Sequence, residues 1–331
     1  MNDTHEQTYP PVPLDPEIEK GLANVNHIPL FTTITVDQID QMPTWDGGPA
    51  FRATAAERGI EIDDRTISIA GQPDLPIALI RRSGITEPAP TIFYIHGGGM
   101  ISGNRFVSID VLTDLVCKHD LVVASIDYRL APQHPDPVPV EDCYAGLTWL
   151  AENAVELGVD RDRLMVVGIS AGGGLAAGVT LLNRDRGGPA LAGCALLSPM
   201  LDDRDNTISS IQHERAALWD RGSNRTGWTA LLGDRRGTDN VTPYAAPARA
   251  EDLSGLPPTF LDCGSAEVFR DETVEYASRI WAAGGSAELC IWSGGFHGFE
   301  MISEAAVSIA AVAARENWIR RTLGLIPDEI R

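Results

Sequence analysis

Leu164-Met165-Val166-Val167-Gly168-Ile169-Ser170-Ala171-Gly172-Gly173-Gly174 reads as an apolar strand that runs into a glycine-flanked serine and then into a helix. A serine hydroxyl is a weak nucleophile near neutrality, so an enzyme that uses one must expose it on a sharp turn and set a base beside it. Glycines two before and two after Ser170 let strand and helix pass closely around a strained residue. The helix that follows points its first amides toward developing negative charge.

The chain on either side repeats this strand-to-helix rhythm. Strands are expected at Thr91–Ile95, Val122–Ile126, Leu164–Val167, Cys194–Leu197, Pro258–Cys263 and Ala287–Trp292. Helices are expected at Val107–His119, Val140–Leu157, Gly172–Asn183, Glu272–Ala283 and from about Glu304 to Leu323. Short apolar runs alternating with helical segments indicate a mostly parallel sheet covered on both faces. Ahead of it, Thr66–Ala70 and Ile77–Arg81 alternate around Gly71-Gln72-Pro73-Asp74, the pattern of an antiparallel hairpin. Two segments break the rhythm. Residues 1–60 are Pro-punctuated, with helical candidates at Asp15–Asn24, Val36–Gln41 and Pro49–Arg58, and residues 202–253 are charged and carry Trp219 and Trp228. They are expected to form a cap from an N-terminal arm and an insertion, over a core built from residues 61–201 and 254–331.

The 331 residues provide ample material for such a core. A formal net charge of −20 and a pI near 4.6 argue against nucleic acid or an anionic membrane as partner. Lys20 and Lys118 are the only lysines. Cys117, Cys143, Cys194, Cys263 and Cys290 are scattered without metal-site spacing and read as free thiols of a reducing compartment. The first residues lack the basic and apolar regions of a signal peptide, and no run approaches the roughly 20 apolar residues of a membrane span. A cytoplasmic protein without a bound metal is the expectation.

The chemistry concentrates in three further places. Tyr94-Ile95-His96-Gly97-Gly98-Gly99-Met100 follows a strand, and consecutive glycines allow several N–H groups to converge on one point. Gly98, Gly99 and the amide of Ala171 are the candidate oxyanion hole. His96 belongs to the loop and is read as its orienter. A base is expected late in the chain, and Gly294-Gly295-Phe296-His297-Gly298-Phe299 offers His297 among small residues. Its carboxylate partner should follow the strand Pro258–Cys263. There Glu267 lies on the loop, Asp262 inside the strand, and Asp271 and Glu272 in a first helical turn, so Glu267 is preferred and Asp262 is the alternative. Met200, Leu218, Trp219 and Trp228 are candidates for the pocket wall or for the interior of the cap.

Taken together, the His-Gly-Gly-Gly loop, Asp127-Tyr128-Arg129-Leu130-Ala131-Pro132, Pro139-Val140-Glu141-Asp142, Gly168-Ile169-Ser170-Ala171-Gly172-Gly173, Phe269-Arg270-Asp271-Glu272 and Phe296-His297-Gly298 resemble the hormone-sensitive lipase family of α/β-hydrolases across roughly residues 75 to 325. Leu201-Asp202-Asp203-Arg204 and Tyr244-Ala245-Ala246-Pro247 are similar to heroin-esterase-like bacterial carboxylesterases. The resemblance implies an α/β-hydrolase fold, with an eight-stranded, mostly parallel sheet under a helical cap. It implies no cofactor, and hydrolysis of small-molecule esters with short to medium acyl chains by Ser170, His297 and Glu267. An amidase, a lactonase or an esterase for a bulky ester such as a phthalate diester would use the same three residues; a binding protein on this scaffold would have lost the base. Glu267 stands where an aspartate is common, Ile169 where a polar residue is frequent and Met100 where an aromatic is usual. Met100 and Ile169 thereby join the pocket candidates. The Asp-Tyr-Arg segment is read as a structural hydrogen-bond network. A homodimer through the last sheet strand or the C-terminal helix is compatible with the sequence.

Overall fold

The computed structural model describes residues 9–25, 32–41, 48–69, 73–214 and 216–325. Two helices, α1 (Pro16–Leu22) and α2 (Gly48–Glu57), precede an antiparallel pair, β1 (Ile60–Ile67) and β2 (Leu75–Arg82). Then follow β3 (Ala89–Ile95), α3 (Asp110–His119), β4 (Val122–Ile126), α4 (Val138–Glu152), α5 (Ala154–Leu157), β5 (Val159–Ile169), α6 (Ala171–Arg186) and β6 (Gly193–Leu197). The insertion carries α7 (Ile208–Gln212) and α8 (Arg221–Leu232), and the core resumes with β7 (Thr259–Gly264), α9 (Arg270–Ala282), β8 (Ala287–Trp292) and α10 (Ala306–Thr322). Among the described residues no helix is long and apolar enough to cross a membrane.

The eight strands form one sheet in the order β1-β2-β4-β3-β5-β6-β7-β8. Only β2 breaks the parallel arrangement, pairing antiparallel with both β1 and β4. Alternate side chains of a strand point to opposite faces, which splits the apolar runs between two layers. Phe93 and Ile95 of β3 and Leu164 and Val166 of β5 face α4, α6 and the insertion. Ile92, Tyr94, Met165 and Val167 face α2, α3 and α10 instead. Burial on both sides is why these strands read as unbroken apolar runs.

Several boundaries differ from the sequence expectation. The first strand begins at Ile60 and ends at Ile67 instead of spanning Thr66–Ala70, while Ala70, Gly71 and Gln72 lie outside the described residues. Only its terminal isoleucines are buried. Asp63 and Asp64 between them pair with Arg65 and Arg52, so its acidic surface hides the alternation. The helix expected from Val107 starts at Asp110, because Ser108 adopts φ 54° and cannot continue a right-handed turn. The helix expected over Val140–Leu157 is divided at Asn153.

Helix α6 is buried from Ala171 to Asn183, and its glycines permit this depth. A Cβ on Gly178 would lie 2.1 Å from the carbonyl oxygen of Tyr244, which belongs to the insertion. Gly178→Ala should therefore destabilise the protein by about 1–3 kcal/mol through overpacking, although alanine is the better helix former. Urea denaturation of the variant and the parent measures this; equal midpoints would refute the close approach.

Candidate active site

Ser170 sits between the last residue of β5 and the first of α6 with φ 59° and ψ −122°. A non-glycine residue is rarely held there. Its backbone is pinned from both sides: its N–H donates to the Leu197 carbonyl (2.8 Å), and its carbonyl accepts from the N–H of Met200 (3.0 Å). The side chain is thereby thrust out of the turn, where His297 meets it. His297 Nε2 lies 2.9 Å from Ser170 Oγ, and His297 Nδ1 lies 3.2 Å from Glu267 Oε1.

The loops that carry Glu267 and His297 are stapled together. The N–H of Ala266 donates to the Gly295 carbonyl (2.9 Å), that of Ser265 to the Trp292 carbonyl (2.8 Å), and that of Gly294 to Ser265 Oγ (2.8 Å). Glu267 is fully buried, and its second oxygen accepts from Ser198 Oγ and from the N–H of Gly264, both at 3.3 Å. The Phe269 ring stands edge-on to the His297 imidazole at 5.2 Å. Asp262, the alternative acid, points elsewhere: its carboxylate accepts from Arg315 Nε (2.6 Å) and Trp292 Nε1 (3.0 Å). Asp271 accepts from the N–H of Ser209 and Glu272 from that of Leu201. Of the four carboxylates, only Glu267 reaches the imidazole.

The Gly97–Gly99 loop turns with φ 114° at Gly98 and 63° at Gly99, and a Cβ on Gly99 would lie 2.2 Å from the Trp219 ring. The N–H groups of Gly98 and Gly99 donate to no described residue, while Gly98 itself accepts from Ile101, Ser102 and the Ser102 hydroxyl. Ala171 occupies the first position of α6, where the amide has no intrahelical partner. His96 is fully buried, with Nδ1 2.7 Å from the Gly97 carbonyl and its ring stacked on Tyr128, whose hydroxyl donates to the His96 carbonyl (2.9 Å). Burial lowers His96 from 6.5 to about 4, so it stays neutral and supports the loop. Arg129 clasps Asp142, and Arg105 pairs with Asp127, which completes the network around Asp-Tyr-Arg.

A cavity of about 280 Å³ opens above Ser170 and His297. Ile169, Leu218 and Trp219 line it. Met100, Met200 and Trp228 do not. All three are fully buried: the Met100 methyl points at Gly174 of α6 and the Met200 methyl at Gly227 of α8, so both side chains fill the interior and not the cavity, while the Met100 carbonyl accepts from the Ala131 N–H and the Met200 N–H donates to the Ser170 carbonyl. Six further wall residues escaped the sequence reading: Ile34, Ser102, Val107, Ser108, Ser198 and Glu300. Ser198 left a signal, as a polar residue just beyond the carboxyl end of a central strand, where ligands of open α/β sheets gather. Ile34 left none. It reaches the cavity because Thr33 Oγ1 donates to Asp220, the Ile34 N–H donates to Ser223 Oγ (2.9 Å), and Thr226 Oγ1 donates to the Ile34 carbonyl (2.7 Å).

A strained serine turn between a central strand and a buried helix, on an eight-stranded sheet of this order, has the architecture of an α/β-hydrolase. Residues 92–301 match the alpha/beta hydrolase fold family, and the chain belongs to it. Over 257 residues it is 34% identical to carboxylesterase NlhH of Mycobacterium tuberculosis, covering 77% of this chain and 80% of that protein. Among solved structures, bacterial heroin esterase superposes with a TM-score of 0.83 at 35% identity, covering 94% of this chain and 98% of that one. Esterase LipW from Mycobacterium marinum superposes with a TM-score of 0.82 at 29% identity, over 94% and 98% of the two chains.

His213, at the end of α7, is buried near Glu267, Asp271 and Arg270, and its Nε2 has no partner among the described residues. Burial, reinforced by Arg270, lowers it from 6.5 to about 4. The folded state thus resists protonation, and His213 costs stability as the pH falls from about 6.5 toward 4, by about 1.4 kcal/mol per pH unit. His213→Phe removes this titration. The stability difference between variant and parent should move in the variant's favour by about 2 kcal/mol between pH 7 and pH 5 in urea denaturation. A difference that does not change with pH would contradict the assignment.

Proposed function

We propose that this protein is a serine carboxylesterase that hydrolyses esters of short to medium acyl chains through an acyl-enzyme on Ser170. One observation carries the reading: His297 is hydrogen-bonded through one ring nitrogen to Ser170 Oγ and through the other to buried Glu267. A carboxylate on Nδ1 holds the proton there and leaves Nε2 free to accept one from the serine. Ser170 Oγ then attacks the ester carbonyl as His297 takes its proton. The carbonyl oxygen, now negative, is received by the amides of Gly98, Gly99 and Ala171, a stabilisation worth several kcal/mol in such sites. The C–O bond to the alcohol breaks as His297 returns the proton to the leaving oxygen. Water, deprotonated by the same imidazole, attacks the acyl-enzyme, and the carboxylic acid leaves as Ser170 regains its proton.

The relatives reported above are named as esterases, which supports the bond class. The cavity volume supports modest substrates, since it falls just below the roughly 300–1,000 Å³ of small-molecule pockets. Ser198 and the Gly264 amide hold the second oxygen of Glu267, so the extra methylene of glutamate is taken up without loss of contact to the ring.

Ser170→Ala should lower the turnover of a chromogenic butyrate ester by at least about 10⁴-fold with an unchanged thermal midpoint. Glu267→Gln should lower it by about 10²–10⁴-fold, whereas Asp262→Asn should act through stability and not through the chemical step. Full turnover in the serine variant, or a larger loss of kcat in folded Asp262→Asn than in Glu267→Gln, would overturn the assignment.

A further inference from the structure

Glu300 is the one carboxylate among the described residues that line the catalytic cavity. It lies in a short 3-10 turn, Phe299–Met301, directly after His297 and Gly298. One of its oxygens pairs with Arg315 Nη2, and the other is bonded to no described residue. Arg315 does not balance it alone. Its Nε binds Asp262 at 2.6 Å, and both Arg315 and Asp262 are buried, Asp262 completely. One guanidinium therefore serves two carboxylates, which leaves an excess negative charge whose outlet to the cavity is Glu300. No lysine or arginine is among the described residues that line the cavity. Burial pushes Asp262 up to about 6 against the pull of Arg315, so the excess persists at slightly alkaline pH.

From this arrangement we infer that Glu300 sets a charge preference: the cavity favours esters that carry a quaternary or protonated amine and disfavours those that carry a carboxylate. The inference rests on the esterase reading of Ser170, His297 and Glu267 and adds the substrate class. A full charge a few ångströms from an unbalanced carboxylate, in a site walled by apolar side chains, changes transition-state affinity by about tenfold or more. Trp219 and Ile34 in the same wall give the methyl groups of a quaternary ammonium apolar and aromatic surface to rest on. Glu300 acts on binding and takes no part in bond breaking.

The test measures kcat/KM at pH 8 on two isosteric pairs, one with the charge in the alcohol and one with it in the acyl group. The first pair is acetylcholine and neohexyl acetate, the second betaine ethyl ester and ethyl tert-butylacetate; monoethyl succinate against ethyl butyrate supplies the anionic arm. On Glu300→Gln, the cation-to-neutral ratio should fall about tenfold in at least one pair, and the relative rate on monoethyl succinate should rise by a similar factor. Glu300→Asp should keep the parent's order. These are ratios within one preparation, so partial unfolding or a slower chemical step cancels. Ratios that do not move between parent and Glu300→Gln overturn the inference while the esterase reading stands. Failure of the parent to hydrolyse either neutral acetate or ethyl ester, at the level of Ser170→Ala, removes the reading beneath it.

Discussion

Everything at this site depends on the turn that joins β5 to α6. Ser170 is held at φ 59°, ψ −122°, a conformation that costs free energy and persists only because the surrounding backbone over-determines it. The restraint comes from the next strand: Leu197 accepts the Ser170 N–H, and Met200 donates to its carbonyl. The neighbouring connection, Ser198 to Met200, thus serves twice, bracing Ser170 with its backbone and Glu267 with the Ser198 hydroxyl. Ser170, Glu267 and His297 lie far apart along the chain and are reunited through the parallel register of β5, β6, β7 and β8.

The distribution of charge follows the same economy. Several buried ionisable groups are paired or held neutral. Arg249 covers Asp203, Arg129 covers Asp142, and burial keeps His96 and His213 unprotonated. Removing one partner of such a pair would leave an uncompensated buried charge, which is why these contacts matter more than the exposed ion pairs around β1. The shared guanidinium of Arg315 departs from this pattern, and it does so beside the cavity.

The strands of the core and the meeting of Ser170, His297 and Glu267 were legible in the sequence because each leaves a local trace. Apolar runs of four to eight residues mark strands buried on both faces, and glycines cluster where Ser170, His297 and the Gly97–Gly99 loop need close backbone approach. Glu267 could be preferred over Asp262 from its place on a loop, but only the Arg315 and Trp292 contacts reveal what occupies Asp262. The pocket was far less legible. Met100 and Met200 differ from Ile169 and Leu218 by the direction of their side chains, which composition does not encode. Ile34 was invisible because its position follows from hydrogen bonds to α8, almost two hundred residues away. The early start of β1 was missed because its alternation is polar on an edge strand.

The tie between Thr33, Ile34 and the start of α8 bears on how such enzymes diversify. Asp220 both caps α8, through the Ser223 amide (2.7 Å), and receives the Thr33 hydroxyl, so one carboxylate couples helix initiation to the seating of the arm. A chimaera that exchanged only residues 202–253 with a homologue would inherit a new roof but keep an old, unmatched wall. Recombination that preserves shape at the cavity mouth has to carry the two distant stretches as a linked pair.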